Sequence, residues 1–492
     1  MPAEGAAAKL RSGFLWNVGL NIFREIAQFG TMLVLVRRLD PSAYGEFGLV
    51  TSIIGFLTVL SFRSFLEHTF QVPHGEEPDY QNIFTIGGFI QGTIFLVTNI
   101  AALVMMTFPK YAPAAPLLQA MSVIFILDWM HEFRTNMLER DLDWSTLRLI
   151  QAVGIVFSNA VALVMALLGA GVYALLVPGL LVFTPTIYDL FFRAKWRPTW
   201  KCSWVDFQPA WRYGLTRMGS GLLLTGRQLA ESAMIVHYLG FAGAGIYGRA
   251  IGIATIACLR IPSYLTRNLY PVLARVPVGT PARSRAGTLV LQSILWLIVP
   301  MAAVMLVLAE PVIRMLYGTK WLAAAPLIPM ALAITGLSAV GEALSILLLA
   351  CGRQRTCLVA DLVSSGGVLL SLGILLPQGI QPYLAGIAGA QLFSSGVMLV
   401  GLHQADALEF PRFARVLVMP LVASASLLAA TAPLYLKLPV EFWSPLLICL
   451  FSVGFAAVYL VFLRVAAGTS LGELVNYLPG RTRLQRLLWL PA

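Results

Sequence analysis

A window of about nineteen residues finds roughly fourteen apolar segments in this chain, near 14–36, 44–66, 83–107, 116–135, 147–168, 171–192, 210–237, 241–266, 288–308, 323–350, 357–376, 382–402, 414–435 and 443–463. That repetition leaves few folds open. In hydrocarbon every backbone N–H and C=O must be bonded inside the protein, and isolated segments of this length achieve that as helices. The chain therefore reads as an all-α polytopic membrane protein with about 14 transmembrane helices. Composition agrees, because 58% of the residues are hydrophobic and 12% charged, whereas soluble domains carry about a quarter charged residues. The formal charge of +11 would suggest nucleic acid in a soluble protein. Here it marks basic loops, and no nucleic-acid partner is expected.

An even number of crossings puts both ends on one side of the membrane. Connections and tails on that side hold 23 of the 34 basic residues, the opposite side holds 6, and 5 lie inside predicted helices. Cytoplasmic loops carry the excess of Lys and Arg, so both termini are expected in the cytoplasm. Lys9 and Arg11 precede the first segment with no small-residue cleavage site after a short apolar core, the pattern of a retained anchor. The five cysteines lack the spacing of a zinc site or a disulfide framework and are expected to be reduced.

The basic, Trp-rich stretch Arg193–Pro209 follows six predicted helices and reads as a linker held at the membrane surface. Chain organisation is accordingly expected as a lobe over 1–205, a second over 206–402, and two additional helices with a tail over 403–492. A weak internal repeat supports this division. A shift of 200 overlays Gln28 on Gln228 and Leu39 on Leu239, and a Tyr-Gly pair opens the next helix in both copies, three residues later in the second. Repeats with six helices each would run parallel, related by an axis along the membrane normal.

Five arginines, Arg24, Arg217, Arg227, Arg249 and Arg260, fall inside the apolar segments. Each would cost about 2.5–3.5 kcal/mol at the bilayer centre, so each must face protein or water. Arg24 shares a helical stripe with Asn17, Asn21 and Gln28, whereas Glu25 is rotated about 100° away. Arg217, Arg227 and Glu231 follow similar spacing, and Arg227 can pair with Glu231 at i,i+4. On a straight helix Arg249, Arg260 and Arg267 align over about 27 Å. One reading has these arginines locking the bundle through Glu25, Asp128, Glu132, Asp189, Glu231, Glu342 or Asp361. The other has them lining a wet cavity that holds an anion. His131, beside Asp128 and Glu132, reads as a structural histidine. No metal-ligand cluster, phosphate-cradling glycine loop or nucleophile triad is present in the sequence, so neither a metal nor an enzyme active site is expected.

The opening stretch GFLWNVGLNIFREIAQFGTMLVLVRRLDPSAYGEFGLVTSI resembles the start of bacterial polysaccharide flippases, the Wzx-like branch of the multidrug/oligosaccharidyl-lipid/polysaccharide exporter superfamily. YLGFAGAGIYGRAIGIATI, ERDLDWSTLRLIQ and GAGVYALLVPGLL are similar to later parts of that family. The resemblance implies two six-helix lobes around a central cavity plus two C-terminal helices, in the bacterial inner membrane. It implies translocation of an undecaprenyl-pyrophosphate-linked oligosaccharide to the outer leaflet by alternating access, without a cofactor. Arg24 and Arg249 match cavity arginines of the related lipid II flippase on its first and eighth helices. Arg63 lies near a helix end, where a surface charge is the plainer reading. Coupling in the superfamily is to H+ or Na+ gradients or membrane potential, for which Glu25 and Glu231 are the candidates here. The expected partners are the lipid-linked oligosaccharide, membrane lipids and a polysaccharide polymerase or glycosyltransferases around a monomer. The alternatives are a MATE-like multidrug exporter and a polyprenyl-dependent polymerase or glycosyltransferase. The first would need cavity carboxylates, and the second a far-side loop longer than this chain offers.

Overall fold

The computed structural model describes residues 23–71, 78–194, 196–260, 262–263, 276–277, 280–408, 410–437 and 442–476. Among them the secondary structure is helical and no strand occurs. Ten helical stretches of the described residues are long and apolar enough to cross a membrane. Many of their large apolar side chains are exposed. On the Tyr80–Met106 helix, Leu96 and Ile100 are 61% and 60% exposed, which water would not tolerate but lipid favours. The chain is an all-α multi-pass membrane protein, and its chain contacts divide into two units, Met1–Gly245 and Ile246–Ala492.

The first unit opens with α1 (residues 23–38) and α2 (Pro41–Thr58). Pro41 at the first helical position has the φ a helix needs and lacks only an N–H that would have no partner there. A short α3 (Arg63–Leu66) follows, then α4 (Tyr80–Met106), which Asp79 caps by accepting the Asn82 N–H at 3.2 Å. The single segment expected at 116–135 is two helices, α5 (Ala115–Ser122) and α6 (Ile124–Arg140), broken at Val123. After α7 (Trp144–Leu167) come α8 (Tyr173–Leu181) and α9 (Thr184–Tyr188), the last running into a π-helical turn over Asp189–Arg193. The two segments expected at 210–237 and 241–266 are two helices that meet at Gly240, where φ is 69° and ψ 176°, and together they are labelled α10 (Trp204–Thr255).

An aromatic core holds one end of this unit. Phe62, Phe65, Phe84 and Phe133 are all buried, and Phe84 lies 4.3 Å from Trp129 and 5.1 Å from Trp196, between ring centroids. The linker is fastened to the start of α4 by exchanged hydrogen bonds. Asn82 donates to the Ser203 carbonyl at 2.9 Å and accepts from the Ser203 N–H at 2.7 Å, while Gln81 donates to the Arg197 carbonyl at 2.7 Å. Trp196 therefore packs into protein, in addition to whatever membrane contact Trp200 makes with its side chain 88% exposed.

The second unit contains α11 (Pro281–Leu316), α12 (Ile328–Ala350), α13 (Gln354–Ile374), α14 (Ile380–His403), α15 (Phe410–Lys437) and α16 (Pro445–Asn476). Trp296 of α11 meets Ala423 of α15 and Tyr459 and Leu463 of α16, which ties the last two helices to the body of this unit.

Asp143 shows how a helix start is fixed here. It caps α7 by accepting the Thr146 N–H at 3.2 Å and also accepts from the Ser145 hydroxyl at 2.8 Å. The bonds from Thr146, then Ser145, and the charge of Arg134 hold its carboxyl below the ordinary value. A depressed carboxyl stabilises the fold above the unfolded-state pKa and loses that contribution as pH falls through the folded value. Asp143→Ala is expected to lower stability by about 0.5–2 kcal/mol at neutral pH. Thermal unfolding in detergent should show the gap between variant and wild type closing as the pH drops below about 3.9.

Candidate functional site

The described part of α1 carries Arg24 and Gln28 one turn apart, both exposed, on the stripe that the 3.6-residue period predicts. Glu25 is half-buried on another face and engaged by a partner. Asn17 and Asn21 lie outside the described residues.

Three of the acidic residues that might have neutralised the helix arginines, Glu132, Asp189 and Glu342, are engaged elsewhere. Glu132 of α6 pairs with Arg63 at 3.2 Å, so Arg63 is an ion-pair partner in spite of its 66% exposed side chain. Asp189 pairs with Arg134 at 2.7 Å, with both side chains nearly buried. Glu342 of α12 accepts a hydrogen bond from Ser263, and Asp361 is exposed. His131 packs its ring 4.7 Å from that of Phe183.

Helix α10 lies along α2, and small residues set the spacing. A Cβ on Gly221 would come 2.9 Å from Val59, one on Gly226 would sit 3.5 Å from Phe56, and the hydroxyls of Ser52 and Ser232 are 2.6 Å apart. Next to Gly226, Arg227 is half-buried, and its Nε is buried with no hydrogen-bond partner among the described residues. The expected pairing with Glu231 does not satisfy that atom; Glu231 is half-buried and has a partner of its own. A buried N–H left unbonded costs about 1–3 kcal/mol, and more on a charged group. A phosphate oxygen would remove that cost through a charge-assisted bond. Arg217 belongs to α10, but its side chain lies outside the described residues.

In the second unit Arg249 is half-buried and donates a hydrogen bond to the Tyr317 phenol. Tyr317 is 3% exposed and held at the end of α11 by an edge-on contact with Trp321, 6.2 Å between centroids. No sequence signal marks this tyrosine, because its role depends on a contact 68 residues from Arg249 in the chain. Arg260 is exposed at the end of a π-helical turn over Ile256–Arg260. That turn changes the register between Arg249 and Arg260; Arg267 lies outside the described residues. In each unit, taken by itself, guanidinium groups sit in apolar helices, a chemistry that suits binding of an anion.

A family model described as polysaccharide biosynthesis protein matches residues 34–326. The chain is 23% identical over 316 residues to the succinoglycan biosynthesis transport protein ExoT of Rhizobium meliloti (strain 1021), covering 63% of this chain and 64% of that relative. It is 21% identical over 401 residues to the lipopolysaccharide biosynthesis protein WzxC of Escherichia coli (strain K12), covering 77% and 80%. The match to the first of these spans just under two thirds of the relative's length. The lipid II flippase MurJ in its inward closed conformation shares the fold with a TM-score of 0.68 at 11% identity, over 92% of this chain and 98% of that one.

Proposed function

The chain belongs to the polysaccharide biosynthesis protein family, and on that premise we propose that it is a flippase for a polyprenyl-pyrophosphate-linked oligosaccharide. It moves this lipid from the cytoplasmic to the outer leaflet of the bacterial inner membrane by alternating access, for export of cell-surface polysaccharide. The observation that carries the reading is Arg227, a guanidinium inside a membrane helix whose buried Nε has no hydrogen-bond partner among the described residues. A diphosphate cannot cross hydrocarbon, but arginines in a wet interior can hold its charge while the polyprenyl tail remains in lipid. No covalent step is required, so the protein is a transporter and not an enzyme. The residues proposed to hold the pyrophosphate and its sugars are Arg24, Arg227 and Arg249, with Asn17, Asn21, Gln28, Arg217 and Arg260 as further polar contacts. Glu25 and Glu231 are the proposed carboxylates for H+ or Na+ coupling. The excess of basic residues on one side supports cytoplasmic termini, and the lobes are read as 1–205 and 206–402, followed by 403–492. The protein works as a monomer that receives its substrate from glycosyltransferases and passes it to a polymerase.

The test is reconstitution in liposomes with a labelled polyprenyl-pyrophosphate oligosaccharide. Movement of the label between leaflets is expected, undiminished by a cationic dye. Transport of the dye with no movement of the lipid would overturn the reading in favour of a drug exporter.

A further inference from the structure

The first turn of α2 and the first turn after the Gly240 break touch backbone to backbone. A Cβ added to Gly45 would lie 1.9 Å from the Phe241 carbonyl oxygen, and one added to Gly245 would lie 1.9 Å from the Pro41 carbonyl oxygen. The two contacts are one contact seen from its two sides. A shift of 200 residues carries Pro41 onto Phe241 and Gly45 onto Gly245, so residue 41 meets the copy of 45 and residue 45 meets the copy of 41. Such reciprocity is what a two-fold relation between repeats produces at its axis. It also fixes the alignment as ungapped, without the three-residue offset that the Tyr-Gly pairs suggest. The contact is local: three residues further on in each copy, a Cβ on Gly48 or on Gly248 would meet nothing within 4 Å.

The geometry points to this glycine crossing as the closure of the extracytoplasmic end, which separates when the protein opens outward. The inference rests on the alternating-access reading and on the orientation with cytoplasmic termini. Three features fit a contact that must break and re-form. It joins bare backbone, and bare-backbone contacts between membrane helices are held by close packing and weak C–H···O bonds. Both segments begin at the contact, α2 at Pro41 and the other after Gly240, whose φ of 69° ends the preceding helix. Each can therefore tilt from its first turn. Beneath it lies an apolar cluster that includes Leu49, Val50 and Val236, with Phe241 and Ala244 packed on its edge, which excludes water while the crossing is shut.

The test needs no substrate. Ser52→Cys places a thiol on the seam between α2 and α10, where the native hydroxyl is half-buried against Ser232. Labelling of that thiol by a membrane-impermeant reagent from the outer face, measured against the same protein without the added cysteine, reports opening. Gly45→Ala and Gly245→Ala should each raise the labelling rate several-fold, whereas Gly48→Ala and Gly248→Ala should leave it unchanged. Bridging Ser42→Cys to Ala244→Cys before labelling should suppress the rate, which keeps the inference testable if either alanine protein fails to fold. Labelling that ignores both the bridge and the Gly45 and Gly245 substitutions overturns it. Failure of the liposome assay with an intact labelling response would instead discard the substrate and keep the gate.

Discussion

Arg24→Ala and Arg249→Ala are each expected to abolish measurable translocation of the pyrophosphate-linked substrate while leaving the amount of folded protein unchanged. Hydrogen bonds to charged groups contribute about 1.5–3 kcal/mol each, so loss of one guanidinium that makes two such bonds corresponds to a fall of two orders of magnitude or more in rate. Arg24 is exposed on α1, so its loss removes little packing, and Arg249 is half-buried with its bond directed to the Tyr317 phenol, so its variant is compared at equal amounts of folded protein. Lysine at either position should restore part of the activity, because it keeps the charge but not the planar fork that meets two phosphate oxygens at once. The measurement is initial flipping rate in liposomes, normalised to monodisperse protein. Wild-type rates from both alanine variants would remove these residues from the substrate site.

Much of the fold was legible because membrane insertion writes itself into composition. A window average recovers where chain is apolar for long enough to span, as it does for α4, α7, α13 and α14. It is blind to hydrogen-bond geometry. The kink at Val123 and the π-helical turn over Ile256–Arg260 alter bonding without altering hydropathy, so the sequence offered no sign of them, whereas the break at Gly240 falls where the expected segments 210–237 and 241–266 part. The charged residues divide the same way. That arginines sit in apolar helices is plain from the sequence, but which acids are left for them depends on contacts across the fold. Glu132 and Asp189 appear as free candidates along the chain and are engaged by Arg63 and Arg134 once it folds. Periodicity correctly put Arg24 and Gln28 on one stripe, since α1 is a regular helix through both. It misjudged Arg249 and Arg260, since the helix between them is not regular.

Asp189→Ala is expected to cause a large loss of stability. Its carboxylate receives the Arg134 Nε–H at 2.7 Å, and the two side chains are only 4% and 13% exposed. The bond joins α6 to the π-helical turn that ends the α9 segment. Removing one partner leaves a guanidinium in a dry interior, at a cost of about 3–5 kcal/mol. Much of that cost comes from the stranded charge and not from the lost attraction, so the double variant Arg134→Met with Asp189→Leu should recover most of the stability. Thermal unfolding of the four proteins in the same detergent closes the cycle and measures the coupling directly. The same proteins also separate structural from substrate-binding arginines. If the pair serves only to hold α6 in place, the double variant should flip substrate at close to the wild-type rate, since Arg134 would then have no part in holding the pyrophosphate. A stable double variant that is inactive would add Arg134 to the residues that serve transport.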